Sequence, residues 1–205
     1  MERLDHQLRF LLEADRVKQV VRHNPLADGS RRENDAEHMW HLALAVLVLA
    51  EHAAEPVDVV RVLTMVLVHD LVEIDTGDVL VYDSAGRAAA ATAERAAAER
   101  IFGLLPDDQG AALRQAWEEF EAGQTPEARF AAAVDRLQPI LLNHAAGGGA
   151  WVEHSLDHDS VAARNAHVAV GSPALGEAVQ RLLADAGERG MLRRSKAGAP
   201  FAPPG

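Results

Sequence analysis

His69-Asp70 stands at the end of a long apolar segment running from Val57 to Val68. A histidine beside an aspartate, where a buried helix runs out, offers a neutral nitrogen and an anionic oxygen to one cation. His38 upstream and Asp135 downstream are further candidates. Together the four give two nitrogens and two oxygens, a hard-to-borderline donor set for a divalent metal that keeps open positions. Glu73 follows His69 by four residues and Asp70 by three, so all three can crowd one helical face. Asp78 comes just past Gly77. The carboxylates of Asp70, Glu73 and Asp78, crowded with His69 into ten residues, repel one another unless a cation is present. That density is the physical case for a metal, and it leaves Glu73 as a spare carboxylate for acid/base work on water.

Asp135 sits among Val134, Leu137 and Phe130. A carboxylate beside a core stripe is costly unless it is paired or metal-bound. Arg136 points about 100° away around the helix, so it is not the obvious partner. Arg22, Arg31 and Arg32 are cations in an otherwise acidic chain. An arginine beside a metal suits a phosphate: the metal polarises it and the fork of N–H donors orients it.

These groups need elements to hold them, and the apolar spacing supplies helices. A first helix is expected from about Asp5 to Val21, with Leu8, Leu11, Leu12, Val17, Val20 and Val21 at helical spacing. Pro25, Asp28 and Gly29 mark a loop. Asn34 or Asp35 caps the next helix, which puts His38 in its first turn. Pro56 opens a third helix, apolar on most sides and expected to be the buried central one. Further helices are expected at 85–104, from Pro106, from Thr125-Pro126 with a kink at Pro139, and at 159–170 and 173–189. Gly147 to Gly149 read as a flexible loop and residues 195–205 as a disordered tail. The expected architecture is all-α, a single helical domain over residues 1–194.

Composition narrows the function. With 205 residues, 48% of them hydrophobic, the chain can bury a real core. Its formal charge of -11 argues against a nucleic-acid polymer as partner, because phosphate-backbone binding needs clustered Lys and Arg. A small phosphorylated substrate needs only one or two local cations. There is no cysteine, which excludes disulfides, thiolate metal sites and a cysteine nucleophile. The charged N-terminus does not read as a signal peptide, and no apolar run reaches the roughly 20 residues that cross a bilayer. The expectation is a cytoplasmic protein with no membrane partner.

His38, then His69-Asp70, then Asp135 resembles the H…HD…D signature of the HD-domain superfamily of metal-dependent phosphohydrolases. Arg22 with Pro25-Leu26, the segment from Arg32 to His38, and His69 to Glu73 followed by Thr76-Gly77-Asp78 resemble the bacterial 5'-deoxynucleotidase family and its HD-domain relatives. The resemblance implies His38, His69, Asp70 and Asp135 as ligands of one divalent ion: cobalt, manganese or magnesium, with zinc, nickel or iron as alternatives. It implies that Glu73 activates or positions the attacking water, that Arg22 orients the phosphate, and that Asp78 lines the substrate pocket. His23 and Val79, Leu80 and Val81 are the other expected substrate contacts. Here the chain departs from the family, which has a tryptophan at the position of His23 and a proline-containing loop after Asp78. The implied reaction is hydrolysis of (deoxy)nucleoside 5'-monophosphates, and the implied assembly is a homodimer, with helix 85–104 as one candidate face.

Two other classes remain. One is hydrolysis of a different small phosphorylated metabolite; the other is a non-catalytic sensor that binds a metal and a nucleotide. A di-iron oxygenase of the same superfamily needs extra histidines between Asp70 and Asp135, and this chain has none there. His154 and His158 lie four apart but read as a solvated face or a helix start. Trp117, Phe120 and Phe130 read as core, Trp40 lies near the site in sequence, and no partner can be argued for His144.

Overall fold

The structure, a computed structural model, describes residues 2–78 and 84–194, of which 84–90 as backbone only. Helices dominate. α1 (Arg3–Ala14) runs into a 3-10 turn, Asp15–Gln19, and then into a hairpin of β1 (Val21–Pro25) and β2 (Arg32–Asn34). α2 (Asp35–Leu49) and α3 (Val59–Val68) follow, then a 3-10 turn, His69–Val72, and α4 (Glu73–Thr76). α5 (Ser84–Phe102), α6 (Asp107–Ala122) and α7 (Pro126–Ala145) are the long helices of the second half. The short α8 (Gly149–Glu153), α9 (His158–Asn165) and α10 (Val168–Gly171) lead to α11 (Pro173–Glu188).

The all-α expectation holds apart from the hairpin. The first helix stops well short of Val21. Val20 and Val21 are β-branched and favour extended backbone, and Pro25 closes the strand. β1 and β2 pair antiparallel, with Val21 opposite Asn34 and Pro25 opposite Arg32. Five residues therefore oppose three, and the strand bulges between them. Leu8, Leu11 and Leu12 of α1 are exposed; the helix buries Phe10, and the turn after it buries Val17.

α7, not α3, is the central helix. It packs against α2, α3, α6, α8, α10 and α11 and buries Phe130, Ala131, Val134, Leu137 and Ile140. α3 buries Val62, Met65 and Val66 but leaves Val60 and Leu67 exposed. It begins at Val59, not at Pro56, because the Asp58 side chain accepts from the amides of Val60 and Arg61. The stretch expected as one helix over 159–170 is broken into α9 and α10. Gly171, at the end of α10, lies so close to α7 that a Cβ there would stand 2.0 Å from the Arg129 carbonyl oxygen. Among the described residues no helix is long and apolar enough to cross a membrane.

Candidate metal centre and substrate cavity

Local structure delivers four donors to one point. Asn34 caps α2 in a reciprocal pair with Glu37, which fixes the first turn and sends His38 inward, with none of its surface exposed. The 3-10 turn after α3 tightens the chain so that His69 and Asp70 both face the interior. Asp135 comes from the middle of α7. Pro139 has no N–H to give to the Asp135 carbonyl four residues back, yet α7 continues through it.

His38 Nε2 lies 3.1 Å from Asp135 Oδ1 and 3.7 Å from Asp70 Oδ2. His69 Nε2 lies 3.1 Å from Asp70 Oδ1 and 3.7 Å from Asp135 Oδ1. His69 Nδ1 donates to the Val66 carbonyl at 3.1 Å, so Nε2 is the nitrogen left to face the carboxylates. That Nε2 is buried and makes no properly angled hydrogen bond. His38, His69 and Asp135 each offer a ligand atom within 4.8 Å of the others, and the two oxygens of Asp70 lie beside the two imidazoles; two imidazole nitrogens and two carboxylates suit a divalent ion.

The electrostatics point the same way. Burial works against a charged His69, but Asp70 and Asp135 overcome it and push the imidazole up to about 10. His38 is raised too, with burial and Arg22 opposing and Asp135, Glu33 and Asp70 prevailing. Burial would raise the carboxyls of Asp70 and Asp135, yet the histidines, together with Arg22 at Asp70, hold both well below the usual range. The cluster calls for positive charge at its centre.

Beside it lies a second group of acids, Asp35, Asp70 and Glu73. Arg22 already serves this group: its Nη1 donates to Asp35 Oδ1 at 2.9 Å and to Asp70 Oδ2 at 2.6 Å. Arg22 Nε is buried without a partner. Burial, then Asp70 and Asp35, push the Glu73 carboxyl up to about 12, so it holds a proton in this field. The burial of Asp35 raises its carboxyl to about 6, with Asp70 adding to the shift and Arg22 opposing it.

His38 has its own support. Its Nδ1 donates to Gln138 Oε1 at 3.0 Å, and Gln138 Nε2 donates to Glu33 Oε1 at 2.7 Å. Gln138 Nε2 is also 3.2 Å from His41 Nδ1. Glu33 and Gln138 are each 2% exposed, so this chain of bonds is sealed from water. It fixes the His38 tautomer that leaves Nε2 for a cation.

The cluster opens into a cavity of about 270 Å³. Arg22, His69, Asp70, Glu73, Asp78 and Asp135 line it. Asp78 Oδ2 accepts from the His23 amide at 3.2 Å. Phe120 lines the cavity with its ring centroid 4.7 Å from that of His69. His23, Asn24, Asn143, Trp151 and His154 line it as well. Strand alternation would send Arg22 and His23 to opposite faces, and the bulge in β1 lets both reach the cavity. Val79, Leu80 and Val81 lie outside the described residues, as does the tail 195–205.

The sequence reading missed several residues. Asp35 has the look of a cap in the sequence; it sits one turn before His38 on the same face, and its pairing with Arg22 makes it part of the site. Glu33 and Gln138 were not singled out, although Gln138 lies three residues after Asp135 on α7. His154 is not on a solvated face; it lines the cavity, while His158 does begin α9. Of the glycines before it, Gly147 and Gly148 lie in a turn and Gly149 begins α8. A Cβ at Gly149 would stand 2.6 Å from Asn143 Oδ1 and from Pro25 Cγ, so glycine lets α8 close onto β1. Trp40 is 64% exposed on the outer side of α2 and takes no part in the site. His144 has a partner after all, Asp185 Oδ2 at 2.6 Å.

Known proteins give the same picture. The 5'-deoxynucleotidase HDDC2 of Danio rerio is 28% identical over 142 residues, 69% of this chain and 70% of that protein. The human protein of the same name is 30% identical over 135 residues, 65% of each chain. The chain thus spans about two thirds of the length of these relatives. A crystal structure described as a predicted metal-dependent phosphohydrolase from Magnetospirillum magnetotacticum MS-1 is 45% identical, with a TM-score of 0.87, and covers 93% of this chain and 98% of that one. The profile described as HD domain matches residues 14–175, so this chain belongs to the HD-domain family.

Proposed function

We propose that this chain is a cytoplasmic, metal-dependent phosphomonoesterase that hydrolyses (deoxy)nucleoside 5'-monophosphates and works as a homodimer. One observation carries the reading: Arg22 and Glu73 stand against a buried His38, His69, Asp70 and Asp135 cluster beside a cavity. The names of the two HDDC2 relatives and of the Magnetospirillum structure support the same chemistry.

In this reading His38, His69, Asp70 and Asp135 hold one divalent ion. The ion supplies Lewis acidity, which polarises phosphoryl oxygens and acidifies water. Cobalt, manganese or magnesium suits a donor set of two imidazoles and two carboxylates. Arg22 gives its unpartnered Nε–H to a phosphoryl oxygen while Asp35 and Asp70 hold the rest of the guanidinium still. Glu73 manages the proton. A cation beside Asp70 would offset the second-largest of the causes that raise the Glu73 carboxyl, after burial. Glu73 then takes a proton from the water that attacks phosphorus in line. The P–O bond to the 5'-oxygen breaks, and the departing oxygen needs the proton that Glu73 has taken. The products are a nucleoside and inorganic phosphate. Asp78, on the cavity wall, accepts from the His23 amide and so fixes the β1 backbone there.

The test is release of inorganic phosphate from a panel of nucleoside and deoxynucleoside 5'-monophosphates with added cobalt or manganese, with oxygen uptake followed in parallel. Phosphate release without oxygen uptake is the expected result. Oxygen uptake without phosphate, or nucleotide binding with no turnover of any phosphoester, overturns it.

A further inference from the structure

Two arginines line the cavity, Arg22 and Arg136, and the protein uses them differently. Arg22 is taken up by protein acceptors. Its Nη1 serves both Asp35 and Asp70, and its free Nε is buried. Arg136 has no such partner. Its nearest acceptor, Asp135 Oδ2, lies 3.7 Å from its Nε, beyond hydrogen-bond reach. Among the described residues its guanidinium makes no hydrogen bond. Its side chain is 26% exposed, so its donors remain accessible. A guanidinium carries five N–H donors, and here they have room for a ligand.

The place of Arg136 follows from α7. Asp135 and Arg136 are consecutive, so they point about 100° apart around the helix. Asp135 turns its Oδ1 to His38 and His69. Arg136 lines the cavity along with Pro139, Ile140 and Asn143 of the same helix. Its Nε faces the other oxygen of the Asp135 carboxylate. The guanidinium therefore stands one carboxylate away from the His/Asp cluster.

The rest of the charge on the cavity wall is negative. Asp70, Glu73, Asp78, Glu94, Glu121 and Asp135 all line it. Burial raises the carboxyls of Glu94 and Glu121, and the charge of Asp70 adds to both shifts. An anionic substrate entering such a cavity is repelled unless cations meet it. A free guanidinium beside a cation site fits an oxyanion that has several oxygens to share. A phosphoryl group has oxygens enough for the ion, for Arg22 and for one more donor.

We propose that Arg136 is a second arginine that binds the phosphoryl group of the substrate, reaching it from α7 beside Asp135. This rests on the phosphomonoesterase reading above. Arg22, fixed by two carboxylates, orients the group; Arg136, unpaired until substrate arrives, adds affinity.

The experiment titrates inorganic phosphate into cobalt- or manganese-loaded wild type, Arg136→Gln and Arg136→Lys by calorimetry. Bound metal is measured on the same samples by elemental analysis. Phosphate affinity is expected to fall by about 10- to 100-fold in Arg136→Gln with bound metal unchanged. Arg136→Lys is expected to recover part of it, because it keeps the charge but loses the fork. Equal phosphate affinity in wild type and Arg136→Gln overturns the proposal. So does a loss of bound metal that accounts for the whole effect, since Arg136 would then act only through Asp135. Loaded wild type that binds no phosphate also overturns it. Phosphate binding without release of phosphate from any monophosphate sinks the nucleotidase reading instead, and the calorimetry still decides the role of Arg136.

Discussion

Two groups of residues on the cavity wall are built in opposite ways. In the His/Asp group charges are paired several times over: Asp70 meets Arg22, His38 and His69, and Gln138 and Glu33 back His38. In the other group His23 and His154 are held by backbone contacts and leave nitrogens unmet. The first carries the donor set that we propose holds a cation. Charged groups in a dry pocket must be fixed in advance, because leaving one unpaired costs several kcal/mol, whereas a neutral hydrogen bond left open costs roughly 1–3 kcal/mol.

Substitutions can break this contrast. The largest effect is expected from Asp135→Asn, which removes an anionic ligand shared by both histidines. Bound metal, measured by elemental analysis, should be lost, and phosphate release should fall by about a thousandfold or more. Next comes Glu73→Gln, with kcat lowered about 10²- to 10⁴-fold and metal content unchanged. Loss of metal in that variant would show that Glu73 is a ligand and not a proton carrier.

How far each group could be read from sequence follows the same division. His69-Asp70, Glu73 and Asp78 fall within ten residues, so their crowding is visible without a fold. His38 and Asp135 needed the resemblance, because nothing in their spacing says that α2 and α7 touch. The helices were legible where capping and apolar spacing agreed, as at Thr125-Pro126, which begins α7 as expected. They were misread where short-range order gave way: the 3-10 turn and bulged strand after Ala14, and the break between α9 and α10 that Gly171 accompanies. Asp35 was hidden by looking like a cap. His154 was hidden because its place depends on Gly149 letting α8 dock against Pro25. That contact spans more than a hundred residues of chain, and no local pattern announces it.

Smaller changes sharpen the contrast. Gln138→Leu should weaken metal binding about 10- to 100-fold in a chelator competition while leaving the chain folded. An unchanged affinity would mean that His38 needs no backing and that the His/Asp group is less pre-organised than its bonds suggest. Gly149→Ala forces a Cβ against Asn143 and Pro25 at a positive φ, and should cost about 1–3 kcal/mol in urea unfolding with metal affinity intact. Trp40→Gln, on the outer side of α2, should change neither metal binding nor turnover, and stability by no more than about 0.5 kcal/mol.

The central claim is that the His38, His69, Asp70 and Asp135 cluster holds the ion on which phosphate release depends. The direct measurement strips the protein with a chelator, titrates back cobalt or manganese, and reads bound metal and phosphate release on the same samples, in wild type and Asp135→Asn. The account predicts no release from stripped protein, recovery that saturates at one ion per chain, and no recovery in Asp135→Asn. Phosphate release that survives stripping, or that returns equally in Asp135→Asn, would contradict it.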